Sequence, residues 1–472
     1  MSSGTANFWD ADIWSFVVVL ALLFAAILLG NALRRKLPWL KKSLIPSSVL
    51  AGFLVLLAEY VWKWLTGEEM LSAATLESLT YHGLGLGFVA LALRDLDKQK
   101  GKQARRDVLS ASTVTVGSYL VQGIVGLTVS LALYYLMGAF PTAGMLLPMG
   151  YGQGPGQAYA WGKNFANLGF ENGVSYGLAV AAMGFVSASI GGVIYLNTIR
   201  KKKGVQAIAN AEEVERLTAE SITRPGEIPI SESVDKLTLQ FALVFMTYGA
   251  SYLLMYGVHS LCSGIPFYDN TICSLMWGFN FLVGTAVAML VKRVMTWLRE
   301  KNIMHRCYTN NFMLNRISGT MFDLMVAASI AAINLEAFMR AEFVVSLVLV
   351  CGLGALATYF YCKIVCRRLF KGYVDEAFLS LYGMLTGTAS TGVILLREID
   401  PTFSTPAANN LVYQGLWSIA LGFPVLLLMG VVNKSMLMSW LTLPILIAVF
   451  GLITAIMFRA QLREKIRSRR KK

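Results

Sequence analysis

The chain has 472 residues, of which 56% are hydrophobic and only 14% charged, with a mean hydropathy of +0.58. Soluble domains carry about 25% charged residues, so a water-soluble globular protein is excluded. The net charge of +14 does not point to nucleic acid, because the basic residues cluster between apolar runs, as they do where Lys and Arg set membrane orientation.

The N-terminal stretch "MSSGTANFWDADIW" contains two Asp and no Lys or Arg. It lacks the basic start of a signal peptide and reads as a short tail outside the membrane. Apolar runs near the ~20 residues that cross a bilayer follow at 13–33, 44–64, 78–93, 107–137 and 173–199. A hydrophilic linker, 200–236, reads as a solvated cytoplasmic connector with a helical "NAEEVERLTAE". Further runs lie at 237–261, 270–291, 317–338, 342–362, 410–432 and 436–458. Two segments, 141–168 and 374–400, are too interrupted by Gly, Pro, Thr and charge to be ordinary spans.

Placing the N-terminus outside puts 36 of the 41 Lys and Arg residues in inner loops and the C-terminal tail. The expected topology is therefore eleven spans, N-terminus out and C-terminus in. Each half has four spans, a broken segment and a fifth span, and the second half starts in the opposite direction. Short matches accompany this inversion: Gly52-Phe53 with Gly278-Phe279, "YHGLGLGFVALALRDL" (81–96) with "MFDLMVAASIAAINLE" (321–336), and "YGQGPGQA" (151–158) with "YGMLTGTA" (382–389). The fold class expected is an all-α polytopic membrane protein of two inverted-topology repeats of five spans, each with a Gly-rich broken, re-entrant hairpin, plus an extra C-terminal span. Its segments are 1–199, the linker 200–236, 237–432, and 433–472 with the extra span and basic tail.

Interrupted helices in inverted repeats are a recurring plan of secondary transporters. Open backbone is tolerated at membrane depth only where protein or a watery cavity receives it, so the two breaks imply a polar cavity. A half-helix N-terminus offers free N–H groups and partial positive charge to a carboxylate. Unwound carbonyls and helix C-termini offer partial negative charge to sodium. Glycine lets a ligand approach the backbone with no Cβ in the way.

The residues expected to bind solute are Gly152, Gln153, Gly154, Gly156 and Gln157 in the first break, and Thr386, Gly387, Thr388 and Ser390 in the second. Arg397 ends the second break and suits either a carboxylate or the inner membrane surface. Sodium is expected at Tyr151, Gly383, Thr391 and Asp323. The hydroxyls of the second break have a plainer alternative as caps of the broken helix. Asp323, an acid within a span, is a functional candidate by default, with an interfacial ion pair as its plain alternative. Asn280, Asn334 and His82 suit a cavity or simple hydrogen bonding between helices.

Six cysteines, with no His beside the Cys362–Cys366 pair, call for neither a disulfide nor a transition metal. "GLGLG" (83–87) lacks the context of a dinucleotide site and reads as a close helix contact. No cofactor is expected.

The stretches "NALRRKLPWLKKSLIPSSVLAGFLV", the first break with "AYAWGKNF", and "KGYVDEAFLSLYGMLTGTASTG" resemble bacterial sodium/glutamate symporters. The resemblance covers most of 13–432 and is best at the two breaks, on Gly150, Gly152, Gly154 and Gly156, and on Gly383, Gly387 and Gly392. It implies sodium-coupled glutamate uptake across the cytoplasmic (inner) membrane, an elevator-like moving part and a homodimer. The chain departs from the family at Tyr151, Gln153, Gln157 and the threonines of the second break, so a related carboxylate or proton coupling fits as an alternative. An ion channel, suggested by "GYG", lacks fourfold repetition. An enzyme lacks any cluster of His or paired intramembrane acids. The expected partners are a small anionic solute, Na+ and the lipid bilayer.

Overall fold

The computed structural model describes residues 11–95, 102–203, 235–266, 268–400 and 405–469. The expected outer tail up to residue 10, most of the linker 200–236 and the last tail residues lie outside the described residues. Among those described, every regular element is a helix.

The main helices are α1 (Ala11–Lys36), α2 (Pro38–Ser43), α3 (Ser47–Thr66), α4 (Ala73–Leu93), α5 (Lys102–Met137), α6 (Pro155–Asn167) and α7 (Gly173–Lys203). There follow α8 (Lys236–Cys262), α9 (Cys273–Gly278), α10 (Asn280–Glu300), α11 (Asn311–Ala331), α12 (Ala341–Leu369), α13 (Val374–Thr386), α14 (Ala389–Arg397), α15 (Pro406–Val431) and α16 (Met436–Arg469).

Among the described residues, nine helices are long and apolar enough to cross a membrane: α1, α3, α4, α5, α7, α8, α10, α12 and α16. A tenth, α15, passes the same test as two pieces bent by 48°. Eleven spans were expected, and the difference lies at 317–338. That segment is α11 followed by a single 3-10 turn, Leu335–Met339, and α11, which carries Asn315, Arg316 and Asp323, falls short in hydropathy. Asn334 caps the 3-10 turn by accepting from the Glu336 amide at 2.9 Å.

The helices group into two compact units, each drawn from both halves of the chain. Unit 1 takes Met1–Ala32, Ser47–Lys98 and Glu212–Ala332; unit 2 takes Leu33–Pro46, Gln99–Ala211 and Ile333–Lys472.

In unit 1, α11 packs along α3 and α4. The "GLGLG" stretch makes this possible. A Cβ on Gly83 would lie 3.0 Å from the Cβ of Met325, one on Gly87 would strike the Phe322 ring, and one on Gly85 would strike Tyr248 of α8. Small residues thus let neighbouring helices close on one another, as is common in membranes. Tyr248 completes a polar knot: its hydroxyl is 2.9 Å from His82 Nδ1 and accepts from Asn280 Nδ2 at 2.8 Å. Asn280 and His82 therefore join helices to one another. At the end of α4, Lys292 of α10 pairs with Asp95 at 3.4 Å.

Unit 2 is built around α5, which packs against α12, α15 and α16. Gly126 of α5 meets Gly144 backbone to backbone, since a Cβ on either would collide with the other's carbonyl oxygen. Helices α6 and α7 close in the same way, with Gly162 against Gly173 and Gly177 against Ala158. An aromatic column of Tyr195, Phe378 and Tyr382 packs α7 on α13, the first pair stacked at 3.8 Å and the second at 5.4 Å between centroids. The Tyr382 hydroxyl donates to the Ser187 carbonyl at 3.0 Å.

Candidate functional site

Both interrupted segments lie in unit 2. In the first, the chain leaves α5 through a short 3-10 turn (Ala143–Met145) and a π-turn (Pro148–Gln153) before α6 begins at Pro155. Gly154 marks the break with φ 91° and ψ 179°, a conformation open in practice only to glycine. No side chain caps the start of α6. Its first-turn amides, at Gly156 and Gln157, carry the partial positive charge of a helix N-terminus.

The second break falls between α13 and α14, at Gly387 (φ −122°, ψ −105°) and the extended Thr388. Here too no side chain caps the new helix. The Thr386 hydroxyl is used within its own helix, donating to the Tyr382 carbonyl at 2.8 Å. The Thr388 and Thr391 hydroxyls lie 3.4 Å apart.

The fold brings the two breaks together. A Cβ on Gly154 would lie 3.6 Å from Thr388 Cγ2. Gln122, at mid-height in α5, donates from Nε2 to the Leu385 carbonyl at 2.8 Å and to the Thr358 hydroxyl at 3.1 Å. Its Oε1 lies 3.1 Å from where a Cβ on Gly152 would sit. One buried carboxamide thus touches both breaks. Gly184 of α7 closes the other side, its missing Cβ leaving room for the Thr386 carbonyl.

Of the residues expected to bind solute, Gly152, Gly154, Gly156, Gln157, Thr386 and Gly387 are buried here, while Gln153 and Thr388 are half-buried. Gln157 stands out: it is 1% exposed, yet neither its Oε1 nor its Nε2 has a hydrogen-bond partner. A buried amide normally satisfies both ends, so an unmet one beside an uncapped helix start suits a ligand. Ser390 and Arg397 are exposed, Arg397 at the last turn of α14.

The residues expected to hold sodium are dispersed. Thr391 is buried at the second break, and Gly383 lies in α13 one turn before it, packed on Gly392. Tyr151 is fully buried, with its hydroxyl 2.9 Å from Ser187 Oγ and donating to the Cys351 carbonyl at 3.0 Å. Asp323 belongs to unit 1, where it is exposed and hydrogen-bonded to Ser48.

The charge balance of unit 2 is informative. Among the described residues, its buried charged side chains are Asp107 and Asp400, with no Lys or Arg. Asp107 accepts from the Tyr373 hydroxyl at 3.0 Å, and Tyr373 in turn accepts from Asn410 at 2.9 Å. Burial, and then the Asp107 carboxylate, push the Tyr373 pKa up. The helix N-termini at the breaks therefore supply positive potential that, among the described residues, no buried Lys or Arg of this unit adds to. Among the described residues no group of three or more His, Cys, Asp or Glu could hold a metal ion.

Sequence reasoning missed Gln122, Thr358 and Gly184. The available signal was the run Thr115, Ser118 and Gln122, polar residues spaced by three and four inside an apolar helix.

These features define a multi-pass helical membrane protein in which two interrupted helical segments lie beside buried polar side chains. Residues 12–380 match the family model of the sodium/glutamate symporters, and the chain belongs to that family. It is a family of transporters rather than of enzymes. The match covers the first break and ends just before the second. No curated protein matches the chain.

Proposed function

We propose that this protein is a sodium-driven symporter that imports glutamate or a related small carboxylate across the cytoplasmic membrane by alternating access. One observation carries the reading: two uncapped helix starts, at Gly154 and Thr388, meet inside one unit that buries no Lys or Arg among its described residues. The solute's carboxylate is held by the first-turn amides of α6 and by the Gln157 side chain, with Gly154 giving access to the backbone, while Gly152 makes room for the Tyr119 ring and Gly387 for Thr391 and Phe185. Thr388 and Thr391 offer hydroxyl oxygens to Na+. With no guanidinium or ammonium buried there among the described residues, a bound cation supplies the missing positive charge, so solute and Na+ bind favourably only together.

Packing supports two oppositely oriented halves with re-entrant breaks. In each half four long helices precede the break and one follows. Equivalent helices pack on one another, α4 on α11 in unit 1 and α5 on α12 in unit 2. Because both breaks belong to unit 2, solute and cation travel with one body, which favours an elevator-like motion; the resemblance to the family implies a homodimer, and the distribution of Lys and Arg an outer N-terminus. Asp323 tunes cation dependence from unit 1; Asp323→Asn is expected to shift the sodium titration more than solute affinity at saturating sodium.

Uptake of radiolabelled glutamate into proteoliposomes tests the proposal. Accumulation against a gradient that needs inward Na+ is the expected result. Accumulation driven by a proton gradient alone would replace sodium coupling, and a purely downhill ion current would overturn symport.

A further inference from the structure

Helices α1 and α3 are both long and apolar enough to cross a membrane, so the segment 37–46 between them stays at one membrane surface. It is more than a bare turn. Pro38, with its fixed φ, starts the short helix α2. Leu40 and Leu44 are buried, while Trp39 is 65% exposed. An exposed tryptophan beside buried leucines, at the end of a span, is the arrangement of a segment that lies along the membrane interface.

Helix α2 packs on α7 within unit 2. This packing joins basic segments that are distant in sequence. Arg34, Arg35 and Lys36 end α1, Lys41 and Lys42 close α2, and Arg200 and Lys201 lie near the end of α7. Of these, Arg35, Lys36, Lys41, Lys42 and Lys201 are exposed. Glu398, just after α14, pairs with Arg200 at 3.1 Å and also attracts Arg34. Among the described residues, none of the exposed basic side chains pairs with an acid.

Membrane orientation needs basic residues on one side, but it does not need them gathered and unpaired. The ends of α4 and α10 in unit 1 show the alternative: Lys292 pairs with Asp95, and Arg94 bonds to Asn315. We propose that α2 and the ends of α1 and α7 form a docking surface for the phosphodiester headgroups of anionic phospholipids. The ammonium and guanidinium heads meet the lipid phosphate, and Trp39 sits at the boundary between headgroups and acyl chains. A soluble polyanion would meet the same charge but would leave the Trp39 ring without an apolar neighbour. The surface requires only that α1 and α3 span the membrane, so it is independent of the transport reading.

The test uses the purified full-length protein, immobilised in detergent and incubated with micelles holding equal amounts of phosphatidylglycerol and phosphatidylcholine. The lipid retained after washing is quantified. The wild type is expected to retain phosphatidylglycerol preferentially, and high salt to erase that preference. Lys41→Gln/Lys42→Gln should raise the half-saturating phosphatidylglycerol concentration about tenfold or more, while Lys41→Arg/Lys42→Arg stays near wild type. Arg299→Gln/Lys301→Gln removes the same charge from the end of α10, beside Glu300, and should leave retention unchanged.

Equal retention of the two lipids by the wild type, or unchanged retention in Lys41→Gln/Lys42→Gln, would overturn the surface. An equal loss in both Gln pairs would also overturn it, since net charge alone would then explain binding. Displacement of the lipid by an equal concentration of glycerol phosphate would assign the patch to a soluble anion instead. If Lys41→Gln/Lys42→Gln fails to insert, the salt titration of the wild type decides, and a preference that survives high salt overturns the proposal.

Discussion

The side-chain amide of Gln122 donates to the main-chain carbonyl of Leu385 across 263 residues of sequence, at 2.8 Å. This bond ties the middle of α5 to the last turn of α13, just before the second break. It holds an interrupted helix end in place without closing the break. Gln122→Leu keeps the bulk and removes the donor, leaving a buried carbonyl unmet. A buried group left without its partner costs about 1–3 kcal/mol, so the variant is expected to unfold at lower temperature and to transport more slowly. Calorimetry and uptake on the same preparation check both; an unchanged midpoint would deny the bond its structural role.

Gly154 and Gly169 share a positive φ, 91° and 104°, but differ in surroundings. Gly169 has open space where a Cβ would go, whereas Gly154 sits at the break beside Thr388. Alanine at either position imposes backbone strain of about 1–3 kcal/mol. Both variants are therefore expected to lose similar stability, while only Gly154→Ala loses transport. Gly154→Val and Gly387→Val are expected to abolish uptake with expression largely intact. Normal uptake by both valine variants would remove backbone contact from the binding scheme.

On α5, Gly123 and Gly126 stand one turn apart with opposite tolerance. A Cβ on Gly123 would meet Leu446 Cδ1 at an ordinary 3.5 Å, while one on Gly126 would collide with the Gly144 carbonyl. Gly126→Ala is expected to cost about 1–3 kcal/mol through overpacking, and Gly123→Ala to be close to neutral. Thermal unfolding in detergent distinguishes them.

Asp235 caps α8, accepting from the Thr238 hydroxyl at 2.6 Å and the Leu237 amide at 3.0 Å. These two bonds hold its carboxyl below the usual carboxylate range. A carboxyl whose pKa is lowered by folding stabilises the fold above its unfolded pKa, about 3.9, and loses that contribution as pH falls through the lowered folded value. The protection factor at the Leu237 and Thr238 amides, the intrinsic exchange rate at each pH divided by the observed one, should therefore hold steady down to mildly acidic pH and fall only in strong acid. In Asp235→Asn it should lose that acid dependence.

Much of the candidate site was legible because helix breaking is local. Gly154 and Pro155 interrupt a helix wherever they stand, and both breaks were read from 141–168 and 374–400 alone. Gln157 was legible as well, being the polar residue next to that break. Gln122 was not, since within its own helix it is one amide in an apolar run. Ser390 and Thr391 are adjacent hydroxyls of equal chemistry, and which of them turns inward depends on how α14 is rotated against α13. Asp323 reads as an acid within a span that could attract sodium, yet its helix packs in unit 1 while both breaks lie in unit 2.

Composition and periodicity determined that this is a multi-pass helical membrane protein and where two of its segments are interrupted, because those properties follow from solvent transfer and backbone stereochemistry within a few turns. Tertiary structure alone decided that both breaks fall in one unit and that Gln122 reaches between them. Those outcomes depend on partners hundreds of residues away, and a hydrogen bond is a property of where two groups finally meet.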